Sequence, residues 1–276
     1  MVDCAFLVFL SRAIRFKESL VACYCVVASK KPEKSIFLDA GFSYCRECSA
    51  VFRDPMPTDE VLAEIYRDCY SPSSIVNGST DQLSPEDAYR EILELVRRYS
   101  TNRSAILDVG AGTGGLVSLL KTLSAEVDGV ESSIDARKFA ELTLGVVLFP
   151  AISDVSSKSY DLVTLVEVIE HVTDPVRFLQ EVKTILKPGA QLIITTPNRD
   201  GLRARLEKSD WVEAAKHFHL HLFNKSSLDY CLTVAGYNQS KIIEPEYSFA
   251  RPVRSLFTFF LQRLRINGSL RVVVRC

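Results

Sequence analysis

The sequence predicts an α/β fold: a seven-stranded, mostly parallel sheet with helices on both faces and a small N-terminal appendage. Three observations carry this. From Ser104 onward, short apolar runs alternate with amphipathic stretches, as a parallel sheet with crossover helices requires. Ser104 to Leu120, SAILDVGAGTGGLVSLL, sets an apolar run, an acid and four glycines (Gly110, Gly112, Gly114, Gly115) ahead of a helical pattern. The fourth apolar run, Tyr160 to Val166, ends in Glu167-Val168-Ile169-Glu170-His171, placing acids and a histidine where open sheets hold ligands.

The elements follow in order. Met1 to Lys17 has a short apolar run with Asp3 ahead of it, which disfavours a signal peptide and favours an amphipathic helix or loose leader. Cys45 and Cys48 form a C-x-x-C turn of the zinc-knuckle kind, and with Cys23 and Cys25 could hold one zinc through four thiolates. The first pair is C-x-C, so the alternative is a degenerate site of small apolar residues. Pro55 and Pro57 end this segment, and Thr58 caps a helix from Asp59 to Tyr66. Tyr66 and Tyr70 read as packing residues, and 71–84 as a polar loop. Ser84-Pro85-Glu86-Asp87 opens a helix whose apolar face is Ile92, Leu93, Leu95 and Val96.

Within the sheet, the strands expected are Ala105 to Val109, Glu126 to Val130, Val146 to Phe149, Tyr160 to Val166, Gln191 to Thr195, a strand around Lys241 to Ile243, and an antiparallel Leu270 to Val274. Helices are expected at Gly115 to Leu123, Ile134 to Leu144, Val176 to Leu186 and Ser226 to Ala235. Asp200 to Ala215 reads as an insertion shaping an acceptor pocket, anchored by Trp211. The division expected is a leader with the cysteine segment over 1–57, a helical lid or linker over 58–103, and the sheet domain over 104–276.

Composition bounds the function. The 276 residues are 47% hydrophobic and 24% charged, ordinary for a globular protein, and the net charge of −1 gives no reason to expect nucleic acid as a partner. No apolar run has transmembrane length. The isolated Cys4, Cys69, Cys231 and Cys276 point to a reducing, cytoplasmic setting. Arg251 to Ile266 mixes Leu and Phe with Arg. It reads either as a helix docked on the sheet or as a peripheral membrane contact.

The glycine loop fits two cofactors. Gly110, Gly112 and Gly115 satisfy the dinucleotide spacing G-x-G-x-x-G, with Glu131 at the distance of a ribose-binding acid. Asp108, Gly110, Gly112 and Gly114 satisfy the D-x-G-x-G-x-G loop of S-adenosylmethionine enzymes. Asp108 separates the two: a carboxylate there repels a pyrophosphate and attracts the ammonium of a methionine moiety. Cofactor contacts are therefore expected from Asp108, Gly110, Ala111, Gly112, Gly114, Glu131, Ser132 and Glu167, with Asp154 near the adenine. Glu167, Glu170 and His171 share one face if their turn is helical, and could bind a divalent cation. Alternatively His171 serves as a general base, with His219 of the run His217-Phe-His219-Leu-His221 as the second candidate.

DVGAGTGG, Glu131, YDLVTLVEVIEHVTDP, ILKPGAQLIITTPN and the later AGY resemble class I S-adenosylmethionine-dependent methyltransferases. The subgroup includes the ubiquinone-biosynthesis O-methyltransferases. The resemblance covers Ile92 to Cys276 and implies a Rossmann-like domain that moves a methyl group to a small-molecule acceptor. It also implies a zinc-ribbon leader, from which Cys23-x-Cys25 departs, and an E-x-x-E-H metal site matched by Glu167, Glu170 and His171. A non-catalytic cofactor-binding partner protein and a nicotinamide-dependent oxidoreductase are the alternatives.

Overall fold

The computed structural model describes residues 33–69, 85–237, 239–242 and 268–276. The leader, Cys23, Cys25, Tyr70, the 71–84 loop and the 251–266 segment lie outside the described residues.

A small antiparallel sheet comes first, in the order β1 (Glu33–Lys34), β2 (Phe42–Tyr44), β3 (Val51–Arg53). The C-x-x-C turn joins β2 to β3. Its Cys45 N–H donates to the Ala50 carbonyl at 2.9 Å, and Ser49 takes a φ of 54°, a conformation glycine normally supplies. Helix α1 (Asp59–Cys69) follows, its first turn held by Thr58 Oγ1 accepting from the Val61 N–H at 3.4 Å. Helix α2 (Pro85–Tyr99) opens the main domain.

The main sheet has the strands β4 (Ala105–Val109), β5 (Glu126–Val130), β6 (Tyr160–Val166), β7 (Leu186–Pro197), β8 (Gln239–Ile242) and β9 (Ser269–Arg275). Their spatial order is β5-β4-β6-β7-β9-β8. The first three pairings are parallel, and β9 runs antiparallel to both of its neighbours.

The sheet thus has six strands among the described residues, which corrects the expected seven. The missing one is Val146 to Phe149. The preceding helix ends at Gly145, and the Val146 N–H is spent closing it onto the Ala140 carbonyl. Only Phe149 then reaches β5, through Phe149 N to Gly129 O at 2.8 Å and Glu131 N to Phe149 O at 2.9 Å, before Pro150 ends the run. The other differences are of length: β7 starts earlier, at Leu186, and α4 (Ile134–Phe139) passes at Ala140 into a π-helical turn.

Alternation along the strands buries both faces. Leu107, Val163, Leu165, Leu192 and Val272 meet α5 (Pro175–Thr184) and α8 (Lys225–Val234) through Leu179, Val182, Leu228 and Leu232. The intervening Ile106, Leu162, Ile193 and Val273 meet α2 and α3 (Gly115–Leu120) through Ile92, Val96, Leu116 and Leu120. Helix α5 is capped by Asp174 and α8 by Asn224, each accepting from the backbone N–H three residues on at 3.0 Å. Among the described residues, no helix is long and apolar enough to cross a membrane.

The small sheet is not detached. The Arg53 N–H donates to Leu220 O, and the Leu222 N–H to Val51 O, both at 2.9 Å, so β3 carries the 220–222 segment as a further partner. That segment follows α6 (Leu202–Glu207) and α7 (Val212–Ala215), the expected insertion. Trp211 is buried there, its ring centroid 6.0 Å from that of Phe37 in the N-terminal segment, which is the anchoring role expected of it.

Candidate active site

Two groups of polar side chains gather beyond the C-terminal ends of β4 and β6. The first lies on the glycine loop. Asp108 is buried at the end of β4 and accepts a hydrogen bond from Thr164 Oγ1 at 2.7 Å. Burial pushes its carboxyl up to about 7, with the Thr164 bond opposing and the neighbouring Glu131 reinforcing the shift. Among the described residues no cationic side chain forms an ion pair with it.

Glu131 follows β5, and its carboxylate holds the glycine loop through one oxygen and its own turn through the other. Oε2 accepts from the Gly112 N–H and Oε1 from the Ser133 N–H, each at 2.8 Å. Gly110 and Ala111 both donate to Val130 O. Gly112 has a φ of +52°, and a Cβ there would meet nothing within 4 Å. The loop therefore presents an open cradle between two buried carboxylates, which fits a ligand with an ammonium group at one end and hydroxyls at the other. Tyr89, reaching from α2, packs against Gly115; burial, with Asp108 adding, pushes its phenol up.

The second group surrounds the turn after β6. That turn is not the helix on which Glu167, Glu170 and His171 would share a face. Glu167 sits at a φ of 54° with its N–H bonded to Thr195 O, and only Ile169–His171 forms a 3₁₀ turn. A left-handed non-glycine residue beside a ligand-facing strand end is the kind of strain that active sites retain.

The structure instead brings Glu170, His171 and His219 together, with one ligand-type atom from each inside 4.8 Å of the others. Glu170 is buried, its Oε2 accepting from Thr196 Oγ1 at 2.9 Å while Oε1 has no hydrogen-bond partner. Burial and the Glu167 charge push its carboxyl well up. The His171 Nδ1 lies 3.0 Å from Phe218 O, so Nδ1 carries the proton. Burial holds His171 down at about 4 and His219 well below its ordinary value, so both are neutral at physiological pH. Glu213, on the insertion, lies 3.5 Å from His219 Nδ1 and pairs with Lys216 at 2.6 Å.

The methyltransferase-domain family matches residues 85–241, more than half of the chain. The chain belongs to that family. The ubiquinone biosynthesis O-methyltransferase of Idiomarina loihiensis is 29% identical over 138 residues, covering 45% of this chain and 57% of the relative. The chain thus spans about half the length of the curated relatives it matches. Among solved structures, an S-adenosylmethionine-dependent methyltransferase from Archaeoglobus fulgidus superposes with a TM-score of 0.55 at 20% identity. It covers 73% of this chain and 99% of its own. The plantazolicin methyltransferase BpumL, solved with S-adenosylhomocysteine, gives 0.53 at 20% identity over 78% and 97%. These two show the fold.

In this methyltransferase domain the remaining expected residues stand as follows. Ser132 Oγ lies 3.4 Å from Glu131 Oε1, and Ala111 is buried beneath the loop against Gly129. Asp154 is exposed and spends a carboxylate oxygen on the Ala151 N–H of its own turn at 3.0 Å. The His221 ring is buried and is not one of the three clustered groups; its residue forms the bridge to Phe52, and its N–H donates to Glu170 O at 3.1 Å. Two contributors carried no motif: Tyr89 and Glu213. Thr164 could have been found, because it is the one hydroxyl in an otherwise apolar half-strand directly beside Asp108.

Proposed function

We propose that the chain is an S-adenosylmethionine-dependent methyltransferase acting on a hydroxyl of a small-molecule acceptor. The observation that carries this reading is Asp108: a buried carboxylate without a cationic partner among the described residues, at the mouth of an open glycine cradle. When bound, the cofactor supplies a methyl group already activated by its sulfonium. The chain's own residues position and deprotonate. Asp108 receives the methionine ammonium. Glu131 keeps lone pairs for the ribose hydroxyls while fixing Gly112. Positioning of this kind can supply roughly 7–11 kcal/mol of barrier reduction.

On the acceptor side, His219 and His171 offer neutral imidazoles able to take a hydroxyl proton. O-methylation is favoured because a hydroxyl needs such a base, and because the curated relative is an O-methyltransferase. Calorimetric titration tests the cofactor. S-adenosylhomocysteine should bind saturably at one site, and NAD should give no heat of binding. Binding of NAD alone would move the oxidoreductase reading ahead.

A divalent cation in the second cluster is supported by the unpartnered Glu170 Oε1 and by His219 Nδ1, which has no hydrogen-bond partner either. Glu170, His171 and His219 would hold it, with Glu167 outside the set. Ligation requires neutral imidazoles and an ionised Glu170 carboxylate. Cation binding should therefore weaken as pH falls. Equilibrium dialysis with Mn²⁺ or Zn²⁺ checks this, and uptake unchanged in Glu170→Gln would exclude the cluster. We further propose a domain division at 57 and 103, and zinc held by Cys23, Cys25, Cys45 and Cys48. Of the zinc set, the structure contributes the formed Cys45–Cys48 turn.

A further inference from the structure

The N-terminal sheet has no role in the reading above, yet its last strand ends in a buried cation. Arg53 is 8% exposed and faces no carboxylate at ion-pair distance among the described residues. Burial brings its guanidinium down to about 10, still far above physiological pH, so it stays charged. Four backbone carbonyls compensate it. Nε donates to His219 O at 3.1 Å, Nη1 to Ala40 O at 2.6 Å, and Nη2 to Ala214 O at 3.2 Å and Lys216 O at 2.8 Å. The Phe42 ring lies beneath, 4.4 Å from Cζ.

Three of those carbonyls belong to the short stretch that runs from α7 to the bridge to β3 and carries Glu213, Lys216 and His219. A guanidinium has five N–H donors in a rigid plane, and four are committed here. Little is left with which to bind an anionic acceptor, so Arg53 acts on the chain itself. The clasp is reciprocal: Arg199, just beyond β7, donates from Nη2 to Ser49 O at 2.6 Å and sits over the Tyr44 ring at 5.7 Å.

We propose that Arg53 is a positioning residue for His219: through the carbonyls of Ala214, Lys216 and His219, the N-terminal sheet fixes where that imidazole stands beside Glu170 and His171. This rests on the reading that His219 serves the acceptor. The N-terminal sheet is then a wall of the active site, built from a segment that lies outside the family match at residues 85–241.

The chain's four histidines are His171, His217, His219 and His221, so a histidine-selective ¹³C spectrum of the full chain contains four ring signals. The His219 ring lies 4.8 Å from that of His171 and 5.2 Å from that of Phe218, and their ring currents displace its signal from the random-coil position. Arg53→Lys and Arg53→Met should both move that signal toward random coil. S-adenosylhomocysteine affinity should stay within about twofold of wild type, because the glycine loop lies on other elements.

A His219 signal left in place by Arg53→Lys would overturn the proposal, since charge without the planar fork would then suffice. Parallel loss of cofactor affinity and far-UV ellipticity would overturn it too, by making Arg53 a support of the whole fold. Should neither variant fold, the wild type decides. The Arg53 Nε–H, assigned by its proximity to the Phe42 ring, should exchange slowly with solvent and give a cross-relaxation peak to the His219 backbone. Fast exchange would overturn the proposal. Failure of the wild type to bind S-adenosylhomocysteine is a separate outcome that sinks the methyltransferase reading and leaves the Arg53 contacts intact.

Discussion

Asp108→Asn should weaken S-adenosylhomocysteine binding about 10- to 150-fold, the loss expected when a hydrogen bond to a charged group worth roughly 1.5–3 kcal/mol is removed. At pH 8 the same substitution should leave the unliganded protein as stable as wild type or more so. The carboxylate is buried with only the Thr164 hydroxyl on it, and an amide oxygen can accept that bond equally well. A buried charge without a partner destabilises its fold, and here it is held for a cationic ligand. Thermal unfolding and calorimetry on one sample check both halves. A variant that loses stability at pH 8 would show that Asp108 is structural.

The sign of the pH dependence follows from the direction of the shift. Burial raises the Asp108 carboxyl from its ordinary value of about 3.8 to about 7 in the unliganded fold. Its protonated form is therefore favoured by folding. The stabilisation it gives is complete below the unfolded value and is lost as pH rises through about 7. Ligand binding runs the other way, because an ammonium selects the carboxylate. Affinity should climb as pH rises toward and through about 7, then level off, and Asp108→Asn should flatten the profile. The buried imidazoles cannot imitate this: His171 titrates near 4, and the shift on His219 is also downward.

What the sequence made legible was local. Apolar alternation from Ser104 placed β4, β5, β6 and β9, because strand periodicity depends on neighbours along the chain. The glycine loop and its two acids were legible for the same reason. The third strand was misread because its apolar composition says nothing about where the Val146 N–H is spent. Glu167, Glu170 and His171 share a face only on a helical turn, whereas Glu167 enters the left-handed region and turns out of it. His219 stands beside Glu170 because the Leu220 and His221 N–H groups, about 50 positions on, both donate to Glu170 O, and Arg53 meets carbonyls about 160 positions away in sequence. No spacing rule spans such a distance.

Two glycines two residues apart should fail in opposite ways. Gly110 has a φ of +77°, and a Cβ there would stand 2.4 Å from Val168 Cγ2. Gly110→Ala therefore incurs a left-handed backbone cost of about 1–2 kcal/mol and an overpacking cost of about 1–3 kcal/mol. At about 2–4 °C per kcal/mol for a chain of this size, the unfolding midpoint should drop by about 4 to 20 °C. Val168→Ala in the same chain should return the steric part and leave the backbone part. The double-mutant cycle should then show a favourable coupling of about 1–3 kcal/mol, and simple additivity would mean that the clash is relieved elsewhere. Gly112 shares the left-handed backbone at +52° but has nothing within 4 Å of its Cβ position. Gly112→Ala should therefore lose only the backbone part, about 1–2 kcal/mol of stability. Its methyl group projects into the cradle, so S-adenosylhomocysteine affinity should fall more steeply than stability does. If Gly112→Ala binds the ligand as wild type does, the open space at Gly112 is not the cofactor site.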